Sequence, residues 1–123
     1  MATPTSSLPG SFSPHELRNN LRRTLKATLD HMDSDACLIE LDAMTEEKRN
    51  AALITRGQTF RAWRKLNNHV LDEIRDQLVA NETDLRKATD GLDQEVEKLA
   101  TVTKVLDATN KLLSVVAKVT ALL

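Results

Sequence analysis

Aromatic residues are nearly missing from this chain: Phe12, Phe60 and Trp63 are the full set, and tyrosine is absent. Compact α/β and all-β cores draw on aromatic and β-branched bulk, so the shortage points to a helical assembly. Cysteine occurs once, at Cys37. That excludes an internal disulfide and a cysteine-built zinc site, and it suits a reducing compartment. Proline stops early: after Pro4, Pro9 and Pro14 there is none, so no proline ring breaks a helix from residue 15 onward. Gly10, Gly57 and Gly91 stand apart, which rules out a glycine-rich phosphate loop. A formal charge of −1 gives no global pull toward nucleic acid or an acidic bilayer. No apolar run approaches the roughly 20 residues of a spanning helix. No apolar segment follows a basic one near Met1, so the expected compartment is the cytoplasm.

What is present is a ladder of leucines at Leu71, Leu78, Leu85, Leu92, Leu99, Leu106 and Leu113, in strict seven-residue register. A helix turns every 3.6 residues, so such a repeat keeps one apolar stripe facing a partner helix. These seven leucines, with Val102 and Val116, form the candidate interface. Ile74 and Ala88 suit the companion core positions. Asn81 and Glu95 do not, and polar residues there can fix register at some cost in stability.

The expected fold class is all-α, an elongated coiled coil or helical bundle. Residues 1–13 read as a flexible tail and residues 14–123 as one helical domain. Ser13-Pro14-His15-Glu16 is a helix start, with Ser13 as cap and Glu16 as its capping-box partner. Leu17, Leu21, Leu25, Leu29 and Met32 then make an apolar stripe. The Ser-rich tail before an Arg-rich helix also has the look of a mitochondrial transit peptide. Asp33-Ser34-Asp35 interrupts the pattern and can cap a second helix. Its alternating acids lack the glycine and final glutamate of a calcium loop. Residues 36–44 are apolar at Ala36, Cys37, Leu38, Ile39, Leu41, Ala43 and Met44, so Cys37 reads as a packed core residue. Thr45-Glu46-Glu47 caps a third helix. From about Gln58 the pattern predicts one long helix to the C-terminus, about 100 Å at 1.5 Å per residue. The alternative is an antiparallel hairpin turning near 81–83 or 90–91.

Charge is segregated. Lys48 to Leu71 holds no acid, while Asp72 to Glu97 holds nine acids against Arg75, Arg86 and Lys87. An antiparallel hairpin or a staggered partner could use that switch to choose register. The basic stretch beside Phe60 and Trp63 could instead bind a polyanion, but Phe60, Trp63, Val70 and Ile74 fit a helical core face as well. Nucleic acid is therefore not the expected partner.

Residues 99–123 carry an apolar arc over about half a helical wheel, with Lys104, Lys111 and Lys118 along one edge. Such a helix is central in a bundle of three or more, or lies at a membrane interface.

No reaction is named by any motif. His69 and Glu73 sit one turn apart, but two ligands make no site, and His15 and His31 have no nucleophile partner. Trp63 is followed by Arg64-Lys65 where the WXG-type secreted hairpins carry a turn glycine. No catalytic, cofactor or metal residue is assigned and no small-molecule substrate is expected. The functional expectation is a non-enzymatic helical scaffold subunit that pairs with itself or another helical protein through the ladder. The alternative is a membrane-active protein using 99–123.

Overall fold

The computed structural model describes residues 13–68, 71–98 and 101–121, with Leu71 in its backbone alone. These residues form six helices: α1 (Pro14–Met32), α2 (Asp35–Asp42), α3 (Glu46–Asn68), α4 (Leu71–Ala80), α5 (Glu82–Glu97) and α6 (Val102–Thr120). No strand occurs among the described residues.

The helix starts follow local chemistry. The Ser13 hydroxyl accepts from the Glu16 amide at 3.2 Å, and the Glu16 carboxylate accepts from the Ser13 amide at 3.4 Å, a complete capping box with Pro14 in the first turn. Ser34 accepts from the Cys37 amide to open α2, and Thr45 accepts from the Lys48 amide to open α3. Residues 1–12 of the expected tail lie outside the described residues.

Four rods pack side by side: α1, α3, the end-to-end pair α4 and α5, and α6. Around the ring the order is α1, α3, α6, α5, so α3 stands diagonally opposite α5. The main core joins Leu17, Leu21 and Leu25 of α1, Leu66 of α3, Ile74 and Leu78 of α4, Leu85 and Leu92 of α5, and Val105, Leu112, Val116 and Val119 of α6. Each enclosed leucine is worth about 1.5–3 kcal/mol. Short α2 closes one end of the bundle, where Cys37 and Leu41 meet Ala52 of α3 and Val102 of α6.

The single long helix from Gln58 is replaced by four pieces. At Asn81 (φ −110°, ψ 16°) the side-chain amide donates to the Gln77 carbonyl at 2.8 Å, the oxygen that also takes the Asn81 backbone N–H. An amide side chain that competes for the helical ladder bends it. Leu85 N–H still reaches the Asn81 carbonyl, so the chain kinks there and does not reverse. Gly91 lies inside α5, which removes the turn at 90–91. The chain reverses between α3 and α4 and again between α5 and α6, where Thr101 is extended (ψ 153°) before α6 doubles back along α5. Bundle packing explains the breaks, because a lone 100 Å rod would leave its apolar stripe in water.

Buried threonines tie the rods. Thr24 of α1 donates to the Asp93 carboxylate of α5 at 2.9 Å, and Thr55 of α3 donates to the Asn110 side-chain oxygen of α6 at 3.4 Å. Thr28, Thr59, Thr109 and Thr120 instead donate to the carbonyl four residues back in their own helices. At the closed end, Glu40 of α2 accepts from the Val102 amide at 3.0 Å and so caps α6 from 62 residues away.

Candidate protein-interaction surface

The nine residues expected to form an interface separate into three groups. Leu78, Leu85, Leu92, Val102 and Val116 are at most 3 % exposed and lie inside the chain's own core. Leu106 and Leu113 are half-buried. Leu106 packs against the Cys37 cluster, and Leu113 lines a groove between α3 and α6. The side chain of Leu71 and all of Leu99 lie outside the described residues. In α6 the buried seam is Val102, Val105, Thr109, Leu112, Val116 and Val119. Its alternating steps of three and four put Val105 and Leu112 inward where the ladder runs through Leu106 and Leu113. The break at 98–101 lets α6 re-phase by one residue.

The wide apolar arc of α6 is enclosed by α5, α3, α4 and α2, and among its described residues no large apolar side chain is exposed. No helix is long and apolar enough to cross a membrane among the described residues.

Helix α3 is arranged the other way. Inward it presents Ala52, Thr55, Thr59 and Leu66; outward it presents Leu53 at 55 % exposure, Ile54 at 61 % and Phe60 at 41 %. Phe60 therefore leaves the core face expected of it, while Ile74 keeps its place there; Val70 lies outside the described residues. Residues 53, 57, 60 and 64 follow one another at helical spacing, so Leu53, Gly57, Phe60 and Arg64 form a stripe on the outer surface. The Phe60 and Trp63 rings lie 6.1 Å apart, and the Arg64 guanidinium sits 5.8 Å over the Phe60 ring, a weak cation–π contact. At the closed end Cys37 is packed as expected, and Cys37 and Leu41 alone carry the burial of α2, while Leu38 (46 %) and Ile39 (70 %) are exposed.

The electrostatics sharpen that face. Arg56 is occupied: its guanidinium grips the Asp33 carboxylate through two 2.8 Å bonds. These bonds hold Asp33 below the usual aspartate range and raise Arg56. Arg61, Arg64 and Lys65 form no ion pair among the described residues, and α3 has no acid after Glu47. The charge switch does not pair α3 with α5 inside the chain, because the two rods are diagonal.

The remaining chemistry-bearing side chains are structural in their surroundings. Burial, followed by the charges of Glu40 and Asp33, pushes the Cys37 thiol up, away from the reactive thiolate. His15 Nε2 lies 3.0 Å from the Asn19 side-chain nitrogen. Among the described residues no three His, Cys, Asp or Glu side chains are placed to hold a metal; His69 lies outside them. A groove of about 860 Å³ follows Ala88, Gly91 and Ala108 between α5 and α6, with acids and lysines of both signs on its rims. The chain matches no protein-family model, no curated protein and no solved structure.

The outward apolar residues of α3 could not be told from core residues in the sequence alone, because the seam they avoid is built mostly of small and hydroxylated residues. Leu53, Ile54 and Phe60 fall off this 52–55–59–62–66 seam, which follows the helical period.

Proposed function

We propose that this chain is a non-enzymatic helical subunit that joins another protein, and that it does so through the outward face of α3. The reading rests on one observation: from residue 52 to 60, α3 buries only Ala52, Thr55 and Thr59 while exposing Leu53, Ile54 and Phe60. A helix with no external contact gains stability by doing the reverse, and an exposed apolar cluster with a polar rim marks an interaction site. The leucine ladder then acts within the chain, as a coiled-coil-like seam that builds the bundle and leaves α3 free. Self-pairing through α3 is disfavoured, since two such faces bring cations against cations. A membrane role for 99–123 would require α6 to leave the core.

A photo-crosslinking residue at Ile54, compared with one at Asp90 on the diagonal rod, tests this in the cells that make the protein. One discrete protein adduct is expected from position 54 and none from position 90. Adduct formation at 54 should disappear when Leu53→Ser and Phe60→Ser are introduced together. No adduct at 54, or equal adducts at both positions, sinks the proposal.

A further inference from the structure

On the Ile54 flank of the exposed face lies a groove of about 470 Å³ between α3 and α6. Ala62 of α3 and Leu113 and Ala117 of α6 line it with apolar surface, Ser114 adds a neutral hydroxyl, and Arg61 and Lys65 of α3 bring two cations. Neither cation has an ion-pair partner among the described residues, and the α6 residues along the groove are uncharged. On the helical wheel Ile54 falls on the same side of α3 as Arg61 and Lys65, which extends the apolar surface by a further turn.

We propose that this groove receives an amphipathic helix of a partner protein, with acidic residues flanking its apolar stripe. The proposal rests on the reading of α3 as the interaction face and names the occupant. Three observations select it. A trough lined by small and branched aliphatic residues between two rods matches the apolar edge of a third rod. The charged residues lining it are cations on the α3 side, so flanking carboxylates are attracted while lysines are repelled. A second copy of this chain does not supply the helix: acid-rich α4 and α5 already bury Leu78, Leu85 and Leu92 in their own core, and α2, acidic with Leu38 and Ile39 exposed, is only eight residues, about 12 Å, against the roughly 15 Å that residues 110–120 of α6 span along the groove. A flat bilayer resting on Phe60 and Arg64 would meet the other flank of α3, away from the groove.

The test is a display library of 16-residue peptides, with aliphatic residues at helical spacing and acidic, basic or neutral residues elsewhere, selected against the full chain. Net-acidic helices should be enriched. Their amide-shift footprint should fall on Ile54, Arg61, Leu113 and Ala117, and their affinity should drop about tenfold or more when Arg61→Glu and Lys65→Glu are combined. Lys87→Glu, on the diagonal rod, should leave binding unchanged. Affinity should also fall as salt rises from about 50 to 500 mM. Circular dichroism of the double variant should match the parent, since both side chains are exposed. Basic or neutral winners, a footprint elsewhere, no winners, or Arg61/Lys65-dependent binding only to vesicles with anionic lipid would each overturn the proposal. If the Ile54 crosslink persisted in any of those cases, the interaction face would stand and only its occupant would be wrong.

Discussion

Helices α6 and α3 are parallel neighbours of similar length, 19 and 23 residues, yet they use their apolar residues in opposite ways. In α6 valines and leucines face inward and lysines face water; in α3 the inward side is Ala52, Thr55 and Thr59 with a single leucine, Leu66, and Leu53, Ile54 and Phe60 face water. Leu66, with Trp63 packed beside it, anchors the C-terminal part of α3 in the core, while its N-terminal part is held through Ala52, Thr55 and Thr59 and keeps Leu53, Ile54 and Phe60 outside. One rod is built to be enclosed, the other to be held while remaining available.

The largest effect should separate the true seam of α6 from the leucine ladder. Leu112→Ala removes a fully enclosed side chain and should cost about 2–5 kcal/mol. Leu113→Ala, one residue on and half-buried, should cost under about 1 kcal/mol. Urea denaturation of both variants checks this, and equal losses would put the ladder back in the core. Next, Glu40→Ala strips α6 of its remote cap and should destabilise by about 1 kcal/mol, with faster hydrogen exchange in the first turn of α6. Unchanged exchange at residues 102–105 would show that α6 does not depend on α2.

A smaller effect concerns how α3 is tethered. Asp33 has a lowered folded pKa because of Arg56, so its contribution is complete above the ordinary aspartate value near 3.9 and fades as pH falls through the folded value. Both partners are substantially exposed, at 53 % and 41 %, which limits the pair to about 1 kcal/mol or less. Arg56→Gln should remove that acid-side dependence in a stability–pH series while leaving neutral-pH stability nearly intact. The smallest effect belongs to the outer face: Leu53→Ser with Ile54→Ser should shift stability by no more than about 0.5 kcal/mol. A loss of several kcal/mol would mean that these side chains already have a home within the chain and that α3 is not a free face.

Much of the helical structure was legible in the sequence. The capping box at Ser13, the stripe from Leu17 to Met32 and the caps at Ser34 and Thr45 needed no tertiary information, because their partners lie within four residues. The extent of the last helices was not legible. Leu85 and Leu92 keep seven-residue register across Gly91, and that same register continues on paper through 98–101, where the chain reverses. Periodicity reports which residues share a side of one continuous helix and is blind to a turn across which the leucine spacing happens to persist while the buried side shifts. The burial of Val105 and Leu112 in place of Leu106 and Leu113 follows from that turn. The exposure of Leu53 and Ile54 was hidden for another reason: an apolar residue off the seam is read as noise until the neighbours of the helix are known.

The threonines in α1 and α3 repeat a single device. In each helix a hydroxyl four residues on binds the carbonyl of the threonine before it, while that earlier threonine reaches across to another rod. To its surroundings Thr28 or Thr59 is therefore an alkyl surface, close to a valine, and places no demand on whatever lies opposite. Thr24 and Thr55 do make a demand, for one oxygen at one height. A core of interchangeable methyl groups lets rods slide past one another at little cost, whereas two directional bonds, one on each side of the α1–α3 pair, leave a single setting in which both can close.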